Sequence, residues 1–235
     1  MERSSPFVEY LTPFFMCALF LFGGYILIRL CLVINKFLFR RSILGSAVIS
    51  KSAAAACLAT YFGTDSVLAD GWYPYRSPFG TLYEQIPCIL VLNGKILVIE
   101  FCSAAGVIEN THEKTWHAVY TYRNGKKKEI DFDNPVDKAK DHADILSSLF
   151  EKLELPFETE IEYLAVFTHS RTTFTYKHGK EISLFREALN RFQKESKQKT
   201  RSKQEMRALI QTLQKYSISR RQAIAKNNSV RRKGR

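Results

Sequence analysis

The sequence predicts an α/β (α+β) fold, a mixed sheet flanked by helices, plus one N-terminal transmembrane helix. Three observations carry this expectation. Residues 14–34, FFMCALFLFGGYILIRLCLVI, run for 21 positions with Arg29 as the only charge, close to the ~20 residues a helix needs to cross a hydrocarbon core. Two nearly continuous apolar arms, residues 87–92 and 95–102, meet at Asn93-Gly94, the dipeptide best suited to a two-residue hairpin turn. After Asn134-Pro135, residues 136–153 place Val136, Ala139, Ala143, Ile145, Leu146, Leu149 and Leu153 on one stripe at helical spacing.

The apolar run is read as a transmembrane helix over 13–38. A cleaved signal peptide would have a shorter apolar region, positive charge ahead of it and a small-residue cleavage site behind. Here Glu2, Arg3 and Glu9 precede the run and Lys36, Arg40, Arg41 and Lys51 follow it. The positive-inside rule therefore sets residues 1–12 outside and everything after the helix in the cytoplasm, making a single-pass protein. Arg29 lies near the inner end and is expected to snorkel to that interface; an intramembrane charge marking a functional site is the alternative. Residues 43–62, rich in Ala and Ser and interrupted by Lys51, are expected to form a soluble helix with a small-residue face, with a second membrane span as the other reading.

Strands and turns then take over. The hairpin at Asn93-Gly94 should be central, because both arms are apolar at nearly every position and so suit burial on both faces. Residues 117–132, HAVYTYRNGKKKEIDF, carry a second Asn-Gly turn between alternating arms and predict a more exposed hairpin. Pro135 suits the first turn of the following helix, residues 161–168 read as a strand, and residues 181–192 begin a closing helix. The domain is expected to span 42–192.

Charge is unevenly distributed. The chain of 235 residues has a net charge of +12, yet residues 191–235 alone hold fifteen Lys and Arg against Glu195 and Glu205. The remainder is close to neutral. Residues 193–235 are therefore expected to form a basic, mobile arm, with one short amphipathic stretch at 206–216 that becomes helical on binding. Such an arm has two natural counter-surfaces. Nucleic-acid phosphate would engage Lys199, Arg201, Lys203, Arg220, Arg221, Arg231, Arg232 and Lys233 with strong salt dependence; the anionic inner leaflet would attract each basic residue by about 1 kcal/mol. A solvated tail without a partner is the third reading. The five cysteines, Cys17, Cys31, Cys57, Cys88 and Cys102, show no metal-site spacing and are expected to be free thiols in a reducing compartment. No metal site is expected.

The words VLADGWYPY (67–75), GTLYEQIPCILVLNGKILVIEFCSAAGVI (80–108), Trp116, NPVDKAKDH (134–142) and AVFTHS (165–170) together resemble the NERD (nuclease-related) domain. Its members share a PD-(D/E)xK, restriction-endonuclease-like core. The resemblance implies a nuclease site: an acid on the first hairpin arm, and an acid and a lysine two apart on the second. Residues i and i+2 of a strand share a face, so carboxylates and lysine would converge on Mg²⁺ or Mn²⁺ and the attacking water.

This sequence departs from that pattern. The aspartate position holds Pro87 and the lysine position Cys102; Glu100 alone remains, and residues 43–63 contain no acid. The expectation is a vestigial site, a pseudoenzyme rather than an enzyme, and no cofactor unless the site is active. Glu100 reads equally well as a carboxylate paired in the core with Lys51 or His142. Glu84 or Glu109 migrating into the site, and Cys102 as nucleophile of an unrelated reaction, find no partner at a defensible spacing. The other family-motif positions, Trp116, Asn134, Pro135 and His142, and Trp72 beside them, suit packing and capping, and Lys126, Lys127 and Lys128 a solvated hairpin tip. The functional expectation is a nucleic-acid binder at the cytoplasmic membrane face that does not cut. The competing class is a protein-interaction module of a membrane complex whose arm lies on anionic lipid; an active metal-dependent nuclease is the third.

Overall fold

The computed structural model describes residues 6–109, 113–153, 160–175, 178–197 and 203–233. The chain forms two compact units, Met1–Ser42 and Ile43–Arg235. The first is mostly helix α1 (Pro6–Gly45), in which Met16–Gly45 is long and apolar enough to cross a membrane. Its large apolar side chains from Met16 to Phe39 stand exposed. Arg29 donates Nε to the Tyr25 hydroxyl at 2.9 Å, one turn toward the N-terminus, the direction in which helical side chains lean.

The second unit is built on a five-stranded sheet. Helix α2 (Lys51–Phe62) is capped by Ser50, whose hydroxyl accepts from the Ala53 N–H at 3.2 Å. Strands β1 (Val67–Ser77), β2 (Gly80–Leu92) and β3 (Lys95–Cys102) follow as an antiparallel meander. The β2–β3 turn places Asn93 and Gly94 at φ of 53° and 84°, both positive as a two-residue hairpin with right-handed twist requires.

A second, four-stranded sheet interrupts the first. It is made by β4 (Gly106–Glu109), the hairpin β5 (Thr115–Thr121) and β6 (Lys127–Asp133), and later β8 (Thr172–Phe174), in the order β6-β5-β4-β8. The chain then forms helix α3 (Pro135–Glu151) and returns as β7 (Glu160–Phe167), parallel to β3. Strand β9 (Ile182–Leu184) pairs with β7 and completes the order β1-β2-β3-β7-β9. The closing helix expected from residue 181 therefore starts later, as α4 (Phe185–Glu195), because residues 182–184 extend the sheet.

Alternation along the strands divides the core into two faces. Leu90, Leu92, Leu97, Ile99 and Phe101 pack with α2 and α4 through Ala54, Cys57, Leu58, Phe185, Leu189 and Phe192. Ile89, Val91, Ile96 and Val98 pack with Ala143, Leu146 and Leu149 of α3, and with Leu209, Ile210 and Leu213. These last three belong to helix α5 (Lys203–Tyr216). The mobile arm expected over 193–235 is thus, over residues 203–233, two helices packed on the domain. After α5, the Ile218 N–H bonds to the Trp72 carbonyl at 3.0 Å on β1.

Helix α6 (Arg220–Lys233) then runs against β2. Asn227 clamps one residue of that strand: its Oδ1 accepts from the Tyr83 N–H at 2.8 Å and its Nδ2 donates to the Tyr83 carbonyl at 2.9 Å. The amide thereby satisfies a stretch of β2 that extends past its pairing with β3. Charge count obscured this outcome in the sequence, because the apolar face of α5 is only three residues wide and the α6 anchor is polar.

Leu213→Ala tests whether α5 is structural. Leu213 is fully buried, so the denaturation midpoint of the full chain should fall by the equivalent of about 2–5 kcal/mol; a change within ~0.5 kcal/mol, typical of surface sites, would mean the helix is a free arm.

Candidate functional site

Glu100 sits near the end of β3, across from Ala165 of β7. The β2–β3 ladder runs from Leu92–Lys95 to Cys88–Ile99 and stops; one step further would pair Pro87 with Glu100. The β1–β2 ladder likewise skips one step between Ala69–Cys88 and Gly71–Ile86, where Asp70 meets Pro87. Proline has no N–H to donate, so both ladders break there. Asp70 adopts φ of 54°, a left-handed conformation that Asp tolerates better than most residues, and its carboxylate accepts from Gln85 Nε2 at 2.9 Å.

A carboxylate on so apolar a strand needs compensation. Lys51, the first residue of α2, supplies it with Nζ 2.9 Å from Glu100 Oε1. A lysine in the first turn is placed against the helix dipole, and the pair with Glu100 offsets that. The second oxygen, Oε2, lies 3.6 Å from His142 Nδ1 of α3, beyond hydrogen-bond range, and both atoms are buried without a hydrogen-bond partner. Glu100 therefore has both neighbours named by sequence reading: Lys51 as a direct ion pair and His142 as a nearby imidazole. Burial holds the His142 pKa below its ordinary value, against the pull of Glu100, Glu84 and Asp141. Its ring is thus neutral at pH 7.

Cys102 is half-buried at the position where the resemblance expects lysine. Burial, the largest effect, pushes its pKa up to about 11, while the Ala104 backbone and Lys51 pull weakly the other way. A thiol held protonated in this way is a poor nucleophile at neutral pH. Pro87 offers no side-chain donor, and Lys51 occupies one Glu100 oxygen. Among the described residues, no group of three or more His, Cys, Asp or Glu is placed to hold a metal ion. The residues at these positions thus do not fit a catalytic magnesium.

The remaining family-motif positions are structural in their contacts. Trp116 is fully buried, stacked on Phe167 with ring centroids 6.2 Å apart and edge-on to Phe132. Asn134 caps α3, its Oδ1 accepting from Val136 and Asp137 N–H at 2.9 and 3.3 Å and its Nδ2 donating to the Glu113 carbonyl. Pro135 occupies the first turn.

Two clefts meet at Glu100, sharing Lys51 and Lys138. One, about 660 Å³, opens toward the second sheet and is lined by Cys102, Tyr120, Tyr122 and Lys128. The other, about 650 Å³, lies between α3 and the β1–β2 hairpin and is lined by Asp70, Glu84, Pro87, Asp141, His142 and Asp144. The basic residues lie elsewhere. Arg220, Arg221, Arg231 and Arg232 are exposed on α6. Lys203 and Lys233 are end residues of α5 and α6, and Lys199 and Arg201 lie outside the described residues. Sequence reading missed Lys226, whose Nζ sits 4.9 Å over the Tyr83 ring, and the acidic wall of Asp141 and Asp144, whose i, i+3 spacing on a predicted helix was the available signal.

Lys51→Ala should destabilise the chain by about 1–2 kcal/mol, a range lowered because the lysine is half-exposed; adding Glu100→Gln should recover part of the loss, read as a non-additive double-mutant cycle. His142 has a second signature. Its depressed pKa costs nothing above about pH 7, begins to destabilise as pH falls below the ordinary value near 6.5, and stops growing below the folded-state pKa. His142→Asn should therefore flatten the decline of the denaturation midpoint between pH 7 and 5; an unchanged profile would show that the ring does not titrate with folding.

Residues 65–168 match the family model described as the nuclease-related domain, NERD. No curated protein and no solved structure matches the chain. The match begins before β1, takes in Pro87, Glu100, Cys102, Trp116 and His142, and ends at Thr168, just past β7. Over residues 65–168 the chain is a nuclease-related (NERD) domain.

Proposed function

We propose that this protein binds nucleic acid at the cytoplasmic face of a membrane and does not cut it. What is established is coarser: a NERD domain in a chain with an N-terminal helix long and apolar enough to span a bilayer. The observation that carries the finer reading is the way α6 is held. Ala223 and Asn227 face the domain, while Arg221 and Arg232 lie on the opposite side of the helix and Arg231, one turn on from Asn227, stays exposed at its flank. Docking turns a charged tail into a rigid basic ridge, and a ridge loses less conformational entropy on meeting a phosphate backbone than a free arm does.

Loss of cutting is supported by the chemistry of the ancestral positions. A metal-assisted hydrolase needs several oxygen ligands and a group that positions water, and here proline, a lysine-paired glutamate and a high-pKa thiol stand in those places. The cytoplasmic orientation is supported by the basic residues after the apolar run.

The full chain in detergent micelles should bind duplex DNA with a steep dependence on salt. Replacing Arg221, Arg231 and Arg232 by Gln should lower the slope of log K against log salt by roughly 2–3. Duplex incubated with Mg²⁺ or Mn²⁺ should stay intact. An unchanged slope would remove α6 from the interface, and cleavage that disappears on Glu100→Ala would show a working nuclease.

A further inference from the structure

The tip of the β1–β2 hairpin presents an aromatic ring to solvent. Pro78 and Phe79 form the turn between Ser77 and Gly80, the last pair of the β1–β2 ladder. Phe79 is 68% exposed, more than any other large apolar side chain outside α1 among the described residues. A lone exposed apolar residue ordinarily needs no explanation. Two observations set this one apart, the bracing of the turn and the side chains around it.

The turn holds the ring in place. Ser77 Oγ accepts from the Phe79 N–H at 3.3 Å and donates to the Gly80 carbonyl at 2.8 Å, and Pro78 fixes its own φ. Gly80 is seated against α6: a Cβ there would lie 3.5 Å from Val230 Cγ1. The ring is therefore displayed by a braced backbone that has little entropy left to lose on contact. Cations stand beside it. Arg76 is exposed on β1, and Arg231 and Arg232, which follow Val230 on α6, are exposed as well. Further along the hairpin Lys226 Nζ lies 4.9 Å over the Tyr83 ring, and Arg231 is close enough to Tyr75 to oppose the burial that raises its pKa. Aromatic and cationic side chains are thus interleaved along the line where the hairpin meets α6.

We propose that this edge is a binding site for single-stranded nucleic acid, in which Phe79 stacks on an unpaired base while Arg76, Arg231 and Arg232 hold the neighbouring phosphates. The inference rests on the nucleic-acid reading above and names the form of the polymer. Cations alone serve for a duplex backbone. A phenyl ring gains from stacking only where a base face is free, and in a duplex those faces are covered by the adjacent base pairs. A bilayer also accepts an exposed ring among cations, but the aromatic part of this tip is a single ring, which suffices for one base and is small for insertion among acyl chains.

Fluorescence anisotropy of the full chain in detergent micelles, titrated from low salt upward against a labelled oligothymidylate and against a duplex of the same length, tests it. Phe79→Ala should weaken single-strand binding about tenfold, the stacking of one base, and leave duplex binding within about twofold. Phe79→Trp should keep the affinity and add tryptophan emission that the strand quenches. Because Phe79 is exposed, these variants should keep the parental denaturation midpoint. Phe79→Leu should behave like Phe79→Ala; full retention of strand binding by Phe79→Leu would mean that apolar area and not a ring is needed, and would overturn the proposal. So would a blue shift of the Phe79→Trp emission in phosphatidylserine nanodiscs without nucleic acid, which would place the ring in lipid. Arginine-dependent duplex binding together with a Phe79→Ala variant that binds the strand as tightly as the parent would sink the stacking and leave the nucleic-acid reading standing, whereas binding of neither polymer at low salt would end both.

Discussion

Strands β2, β3 and β7 are apolar on both faces, and a sheet of that kind is stable only if both faces are covered. This constraint organises the rest of the domain. Helices α2 and α4 close one face with small residues and phenylalanines, so the layers approach closely. On the other face α3 covers only part of the surface, and Ile86, Ile89 and Tyr73 need another partner. Leu209, Ile210 and Leu213 supply it, which is why a segment that is basic at nearly every third position nevertheless folds back. Charge on the outer side of a helix does not prevent its inner side from packing.

The same constraint explains the state of Glu100. A carboxylate two residues past Val98, on the face that meets α3, is inside the core unless the strand ends there. Two things make it tolerable: the sheet opens at Pro87, where neither neighbouring ladder can continue, and Lys51 reaches in from α2. Pro87, where the resemblance expects an aspartate, therefore shapes the backbone as well as the side chains on offer. Asp70 is pushed into a left-handed conformation opposite the break, and its carboxylate comes to line the cleft.

Most of the fold was legible in the residues because its signals are local. Asn93-Gly94 and Asn124-Gly125 announce hairpins, Asn134-Pro135 announces the start of α3, and apolar continuity announces the buried strands. Strands β4, β8 and β9 were not legible: each is three or four residues long and exists only because a longer neighbour offers it a pairing edge. The α6 clamp was hidden for a related reason, since Asn227 bonds to a backbone 144 positions away and leaves no pattern in sequence. At the site, the departures at 87 and 102 could be read directly, and so could both neighbours of Glu100. The acidic cleft could not, because its walls come from β1, β2 and α3, whose acids look like ordinary surface charge until the hairpin and helix are brought together.

The two charged surfaces of the domain meet at the β1–β2 hairpin. Tyr75 marks the boundary: burial is the main cause that raises its pKa, Glu84 adds to the rise and Arg231 opposes it, so acid from the cleft and base from α6 act on one phenol. In a metal-bearing nuclease an acidic cleft is reconciled with a phosphate backbone by the cation between them. Among the described residues no group of three or more carboxylates, imidazoles or thiols is gathered for one ion, so cleft and helix set opposite charges side by side. The carboxylates that line the cleft repel phosphate, whereas the exposed arginines of α6 attract it.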